Sequence, residues 1–197
     1  MTKIKNFRIH LRSREIARWL KSEYQTTITP ELEATIEGAI ARYKGKIHPA
    51  AIYTTMTRAT AEKATPLAFP DKAVAVSLVA ANIGEELGAA LQEVPEAAQD
   101  EHQLLRALQH EAIQQSVQFA VRLLSDQAKD EDCDMSVPIV AEDPVVTESL
   151  AGLLGCRRIG LEIGAQAPLP PHARLSWIFW TPQRKHASRR NAEKVAA

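Results

Sequence analysis

The side chains able to do chemistry in this chain are few and scattered. There are six histidines, His10, His48, His102, His110, His172 and His186. No pair has the HExxH spacing that sets two imidazoles one helical turn apart around zinc. His102 and His110 lie eight apart on one helical stretch, and Glu111 follows directly. No third ligand is placed with them, so exposed helical histidines are expected and no metal site is assigned. Cys133 and Cys156 stand alone rather than as a CxxC pair, a usage that fits a reducing compartment. Cys156 follows a helix stop and reads as a small buried residue rather than a nucleophile. The acidic run Asp126, Asp130, Glu131, Asp132, Asp134 lacks the alternating ligands, central glycine and closing glutamate of a calcium loop. It reads as a solvated loop. No catalytic residue is assigned.

One stretch has the layout of a phosphate cradle. SLVAANIGEELGAAL, Ser77 to Leu91, runs strand, glycine turn, helix. It has neither the lysine and Ser/Thr of a Walker loop nor the three glycines of a dinucleotide loop. Glu85 and Glu86 suit the start of a helix but would repel a phosphate there. Asn82 with Glu85 reads as a capping box. The turn is expected to be a cap.

These groups are carried by a chain of 197 residues, 45% hydrophobic and 24% charged, with 24 basic and 24 acidic side chains. That length buries a core without disulfides or metal. Charge is uneven: residues 1–24 hold seven basic and two acidic groups, and 181–197 hold five and one. The stretch between them is therefore acidic. The basic run Gln183 to Lys194 has no interleaved aromatics, so nucleic acid is not the expected partner. The chain is read as one domain over 1–182 with a basic mobile tail over 183–197. The longest apolar run, Ala73 to Ala81, is too short to span a bilayer. Residues 1–20 lack the apolar centre of a signal peptide. A cytoplasmic protein is expected.

Periodicity supplies the elements. Phe7, Ile9 and Leu11 alternate as in a half-buried strand over Lys5–Leu11. Ser13 can cap a short helix through about Glu23. Thr29 and Pro30 open a second helix with Leu32, Ile36, Ile40 and Tyr43 in one stripe and Gly45 as its stop. His48–Thr57 and Lys72–Ala81 read as strands, the second central. Asp100 to about Lys129 is the longest helix, with an Asp100–Gln103 capping box. Asp143-Pro144 opens another, ended by Gly155. CRRIGLEI and ARLSWIFW read as two closing strands forming a hairpin. Trp177 and Trp180, three apart, fall on opposite faces of the second. The fold class is α+β (mixed α/β): a single domain with a largely antiparallel twisted sheet, flanking helices and one long central helix.

This order of segments resembles the activation (reactivation) domain of cobalamin-dependent methionine synthase and its stand-alone relatives, across nearly all of residues 5–182. The likeness is carried by FRIHLRSREIARWL, by ELEATIEGAIARYKGKIHPAAIYTTM, and by AVSLVAANIGEELGAAL with its Asn82-Ile83-Gly84 turn. The long helix LLRALQHEAIQQSVQFAVRLL and the ending GLLGCRRIGLEI…PLPPHARLSWIFW complete it. The resemblance implies docking on a corrinoid protein or methyltransferase subunit, support for reductive reactivation of its cobalamin, and S-adenosylmethionine as ligand. It places Ser136 and Pro138 at the position of the family's ligand motif and Glu111 at that of its ligand-facing acid. The motif's arginine, glycine and tyrosine are missing from DCDMSVPIVAEDP. The alternative is a non-catalytic protein–protein interaction subunit that keeps the fold without the ligand site.

Overall fold

The computed structural model describes residues 1–95, 97–164 and 168–183. A single mixed α/β domain is built on one open antiparallel sheet. Its strands are β1 (Thr2–Lys5), β2 (Ala50–Thr57), β3 (Ala75–Asn82), β4 (Cys133–Met135), β5 (Ile139–Val140) and β6 (Ala173–Pro182), in the order β1-β2-β3-β6-β4, with β5 also on β6. The helices are α1 (Ser13–Tyr24), α2 (Pro30–Tyr43), α3 (Arg58–Ala64), α4 (Glu86–Glu93), α5 (Gln99–Asp130) and α6 (Pro144–Leu154).

β3 is central and buried along its whole length, which is why it reads as a continuous apolar run rather than an alternation. Its two faces feed separate cores. Val76, Leu78 and Ala80 pack with Leu175 and Phe179 against α3 and α6. Val79 packs with Tyr53, Ile178 and Trp180 beneath the C-terminal half of α5. The N-terminal half of α5 runs past the sheet and forms a third core with α1, α2 and α4, through Ile16, Leu20, Ile36, Leu87 and Leu108. At 32 residues α5 spans roughly 48 Å, long enough to serve both cores. Below it a polar chain is closed internally: Trp180 Nε1 donates to Ser77 Oγ at 2.9 Å, and Ser77 Oγ pairs with Thr55 Oγ1 at 2.8 Å. Trp177 packs on the other face, as the spacing requires.

Both proline-started helices form as expected. Thr29 Oγ1 accepts from Leu32 N, and Asp143 Oδ1 accepts from Val145 and Val146 N. α6 ends at Gly155 with φ 57°.

Several expectations are corrected. The first strand is Thr2–Lys5, not Lys5–Leu11. Asn6 N makes a last bond to Pro49 O, and at φ 55° the chain leaves the sheet. The alternation of Phe7, Ile9 and Leu11 is real, but it faces the helices: Phe7 stacks on Phe119 of α5 at 4.1 Å. CRRIGLEI is no strand. Cys156–Ile159 is a 3-10 turn between two left-handed glycines, Gly155 and Gly160. The closing hairpin is therefore absent, and β6 enters alone between β3 and β4. Helix α3 carries no apolar stripe of its own, with only Ala61 buried, so periodicity does not announce it. Asn82 is not a helix cap. Its Oδ1 accepts from Gly84 N, and its Nδ2 donates to Ile159 O and Gly160 O, tying β3 to the 3-10 turn. α5 starts from Ala98 without a side-chain cap, so Asp100 and Gln103 form no capping box. The acidic loop shrinks to Glu131 and Asp132, because α5 continues to Asp130 and β4 starts at Cys133. The expected basic tail lies outside the described residues beyond Gln183.

Candidate functional site

The sequence-expected residues fall on two neighbouring depressions along α5. Glu111 sits under one of about 630 Å³, and Ser136 and Pro138 line another of about 400 Å³. Gln118 borders both, so the two meet along the helix.

Glu111 is 3% exposed and fully engaged. Its Oε1 accepts from Arg12 Nε at 2.9 Å and from Gln115 Nε2 at 2.9 Å, and Arg12 Nη2 reaches Oε2 at 3.4 Å. Arg12 precedes the first turn of α1, so the pair pins that turn to α5. The carboxylate raises the Arg12 pKa above its ordinary value, chiefly through this hydrogen bond. Ser136 stitches the sheet. Between β4 and β5 the ladder to β6 lapses, and there Ser136 N donates to Phe179 O while Phe179 N donates to Ser136 Oγ at 3.1 Å. Its hydroxyl also donates to Val137 O at 2.9 Å. Pro138 is half-buried at the rim.

A larger cleft of about 880 Å³ opens between α1, α4, the N-terminal half of α5 and residues 169–174. Trp19 of α1 stacks on His110 of α5, with ring centroids 5.2 Å apart and planes 26° from parallel. Arg174 projects from the start of β6 on the α5 face and is half-buried. Burial holds its pKa below the ordinary arginine value. His110 and His172 line the same cleft, and burial lowers both below the usual imidazole range, with Arg174 adding to the effect at His110. Gln109 in the wall is buried, and its Nε2 has no hydrogen-bond partner among the described residues. The exposed side chains of Glu23, Glu85 and Arg106 stand at the rim.

The histidines on α5 are thus half-buried, not exposed: His102 Nε2 bonds Val94 O at 3.0 Å and His110 carries the stack. Arg174 was missed in the sequence although a signal existed. It is a charged residue in register with Ile178 and Trp180, on a face where the strand is otherwise apolar or small. Cys156 is buried, and its thiol is pushed up to about 12. Among the described residues no group of three or more His, Cys, Asp or Glu side chains is placed to hold a metal ion, and no helix is long and apolar enough to cross a membrane.

No family model matches this sequence, and no curated protein matches it. Solved structures do match it in fold. One is the crystal structure of the MetH reactivation domain bound to AdoHcy, with a TM-score of 0.56 and 12% sequence identity over 94% of this chain and 79% of that one. At that identity the likeness is one of fold.

Proposed function

We propose that this chain is an activation-type domain. It docks on a corrinoid protein or methyltransferase subunit in the cytoplasm and supports reductive reactivation and methylation of that partner's cobalamin, with an S-adenosyl compound as ligand. The supporting observation is the fold likeness, over 94% of the chain, to a domain whose crystal structure carries AdoHcy. Two free, buried cysteines agree with a reducing compartment.

The residues expected at the ligand fit it only in part. Ser136 and Pro138 border a depression, but the Ser136 hydroxyl is already used on both sides. Glu111 is held by Arg12 and Gln115. Among the described residues no arginine lines the depression at Ser136, so a carboxylate finds no bidentate partner among them. The chain's own contribution is then position and field, while the chemistry belongs to the partner's cofactor. Calorimetry with S-adenosylhomocysteine and S-adenosylmethionine, followed by gel filtration with a cobalamin-loaded corrinoid protein, tests the reading. Micromolar binding, about −8 kcal/mol, together with co-elution is expected. Absence of both overturns it.

A second reading has its own observation. Val137 and Val145 are 79% and 62% exposed, and Ile139 and Val140, between them in sequence, are 38% and 39% exposed; exposed apolar area of this kind is used in contact surfaces when it is contiguous. A non-catalytic interaction subunit would co-elute with its partner while giving no heat with either S-adenosyl compound.

A further inference from the structure

The 880 Å³ cleft holds a charge that the described residues leave unanswered. Arg174 has no ion-pair or hydrogen-bond partner among the described residues, yet it is half-buried. A guanidinium removed from water without a partner is costly, and natural interiors rarely keep one unused. The remaining charged groups of the lining, Glu23, Glu85 and Arg106, are all exposed. His110 and His172 favour the neutral form. Positive charge therefore lies inside the cleft, and the mixed charges lie at its mouth.

Two further features point to a ligand rather than to packing. Gln109, 6% exposed in the same wall, keeps an unpaired Nε2 donor. The stacked rings of Trp19 and His110 both line the cleft. Gly88 of α4 lines the cleft without a side chain, and a Cβ placed there would stand 3.8 Å from Gln109 Nε2. The volume suits a small organic molecule.

We propose that this cleft binds a small planar organic anion, with its carboxylate or phosphate on Arg174 and its ring against the Trp19–His110 pair. A guanidinium takes either anion in bidentate fashion, and an aromatic face takes a flat ring. The cleft adjoins the depression at Glu111, with which it shares Trp19 and His110, but Arg174 and Gln109 line the cleft and not that depression, and the proposal stands whether or not the corrinoid reading holds.

The test uses the purified full chain with nicotinate and adenosine 5′-monophosphate as probes, and with nicotinamide and adenosine as their uncharged counterparts. Binding is followed by tryptophan fluorescence and by the imidazole proton resonances of His110 and His172 in NMR. Each anion is expected to bind about tenfold or more tightly than its neutral counterpart. It should also raise the pKa values of both histidines by adding negative charge beside them. Arg174→Met should abolish this preference, and Arg174→Lys should retain part of it. The nicotinate and nucleotide arms separate a carboxylate ligand from a phosphate one. Equal affinity for charged and neutral probes, or unmoved His110 and His172 titrations, overturns the proposal even if Arg174→Met proves insoluble. So does no response to either anion at millimolar concentration.

Discussion

The buried carboxylate of Glu111 shows how a single residue takes its meaning from its neighbours. In sequence it is an acid on a long helix. In the structure it accepts three side-chain hydrogen bonds and holds the start of α1. Replacing Arg12 with Ala leaves Glu111 buried beside Gln115 alone. A loss of about 1–3 kcal/mol is expected, read as a lower urea midpoint. A midpoint equal to the parent's would show that the pair contributes nothing. Cys156 is the opposite case, a reactive type made inert by burial. With its thiol pushed up to about 12, it should resist iodoacetamide at about pH 8 in the native protein and react once the protein is unfolded in urea. Native alkylation at the unfolded rate would contradict the buried placement.

Glycine behaves differently in different elements, and two substitutions should move stability in opposite directions. Gly155 closes α6 at φ +57°, where a Cβ would also stand 3.4 Å from Arg158 Cδ. Gly155→Ala forces an L side chain into the left-handed region, at a cost of roughly 1–2 kcal/mol. Gly88 lies inside α4, where its added Cβ meets only an ordinary 3.8 Å contact. Gly88→Ala should stabilise by about 0.5–1 kcal/mol, a rise of a few degrees in Tm. Thermal scans of both variants check the pair, and a shared sign would refute the backbone argument. Element boundaries were legible where a cap and a stripe coincide, as at Thr29-Pro30 and Asp143-Pro144. They were illegible at Cys156–Leu161, where two positive-φ glycines turn a strand-like composition into a 3-10 turn.

At the scale of the whole molecule, pH acts through the cleft. His110 and His172 both have folded pKa values below the ordinary 6.5, mainly from burial. Arg174, Glu23 and Glu111 also act on His110, and Glu85 acts on His172. A lowered folded pKa means that the native state binds fewer protons than the unfolded chain. The resulting stability is complete above 6.5 and is lost as pH falls through that value toward the folded pKa values. Urea midpoints should therefore decline between about pH 7.5 and about pH 5.5, and a His110→Gln/His172→Gln variant should flatten part of that decline. An unchanged slope in the variant would assign the decline to other groups.

The sequence by itself determined the mixed α/β class, the central β3, the long α5, the two proline-started helices and the opposed faces of Trp177 and Trp180. Each is written in local period and cap chemistry, which need no partner to be read. Only the tertiary structure decided where half-buried segments went. Phe7, Ile9 and Leu11 alternate equally well toward a sheet or toward helices, and contacts distant in sequence chose the helices. It also decided which polar groups were consumed and which were left over. Glu111 and Arg12 are 99 residues apart and Ser136 and Phe179 are 43 apart, so their engagement cannot be read from spacing. Among the described residues Arg174 stands without a partner for the same reason: whether a charge is answered depends on what the fold brings beside it.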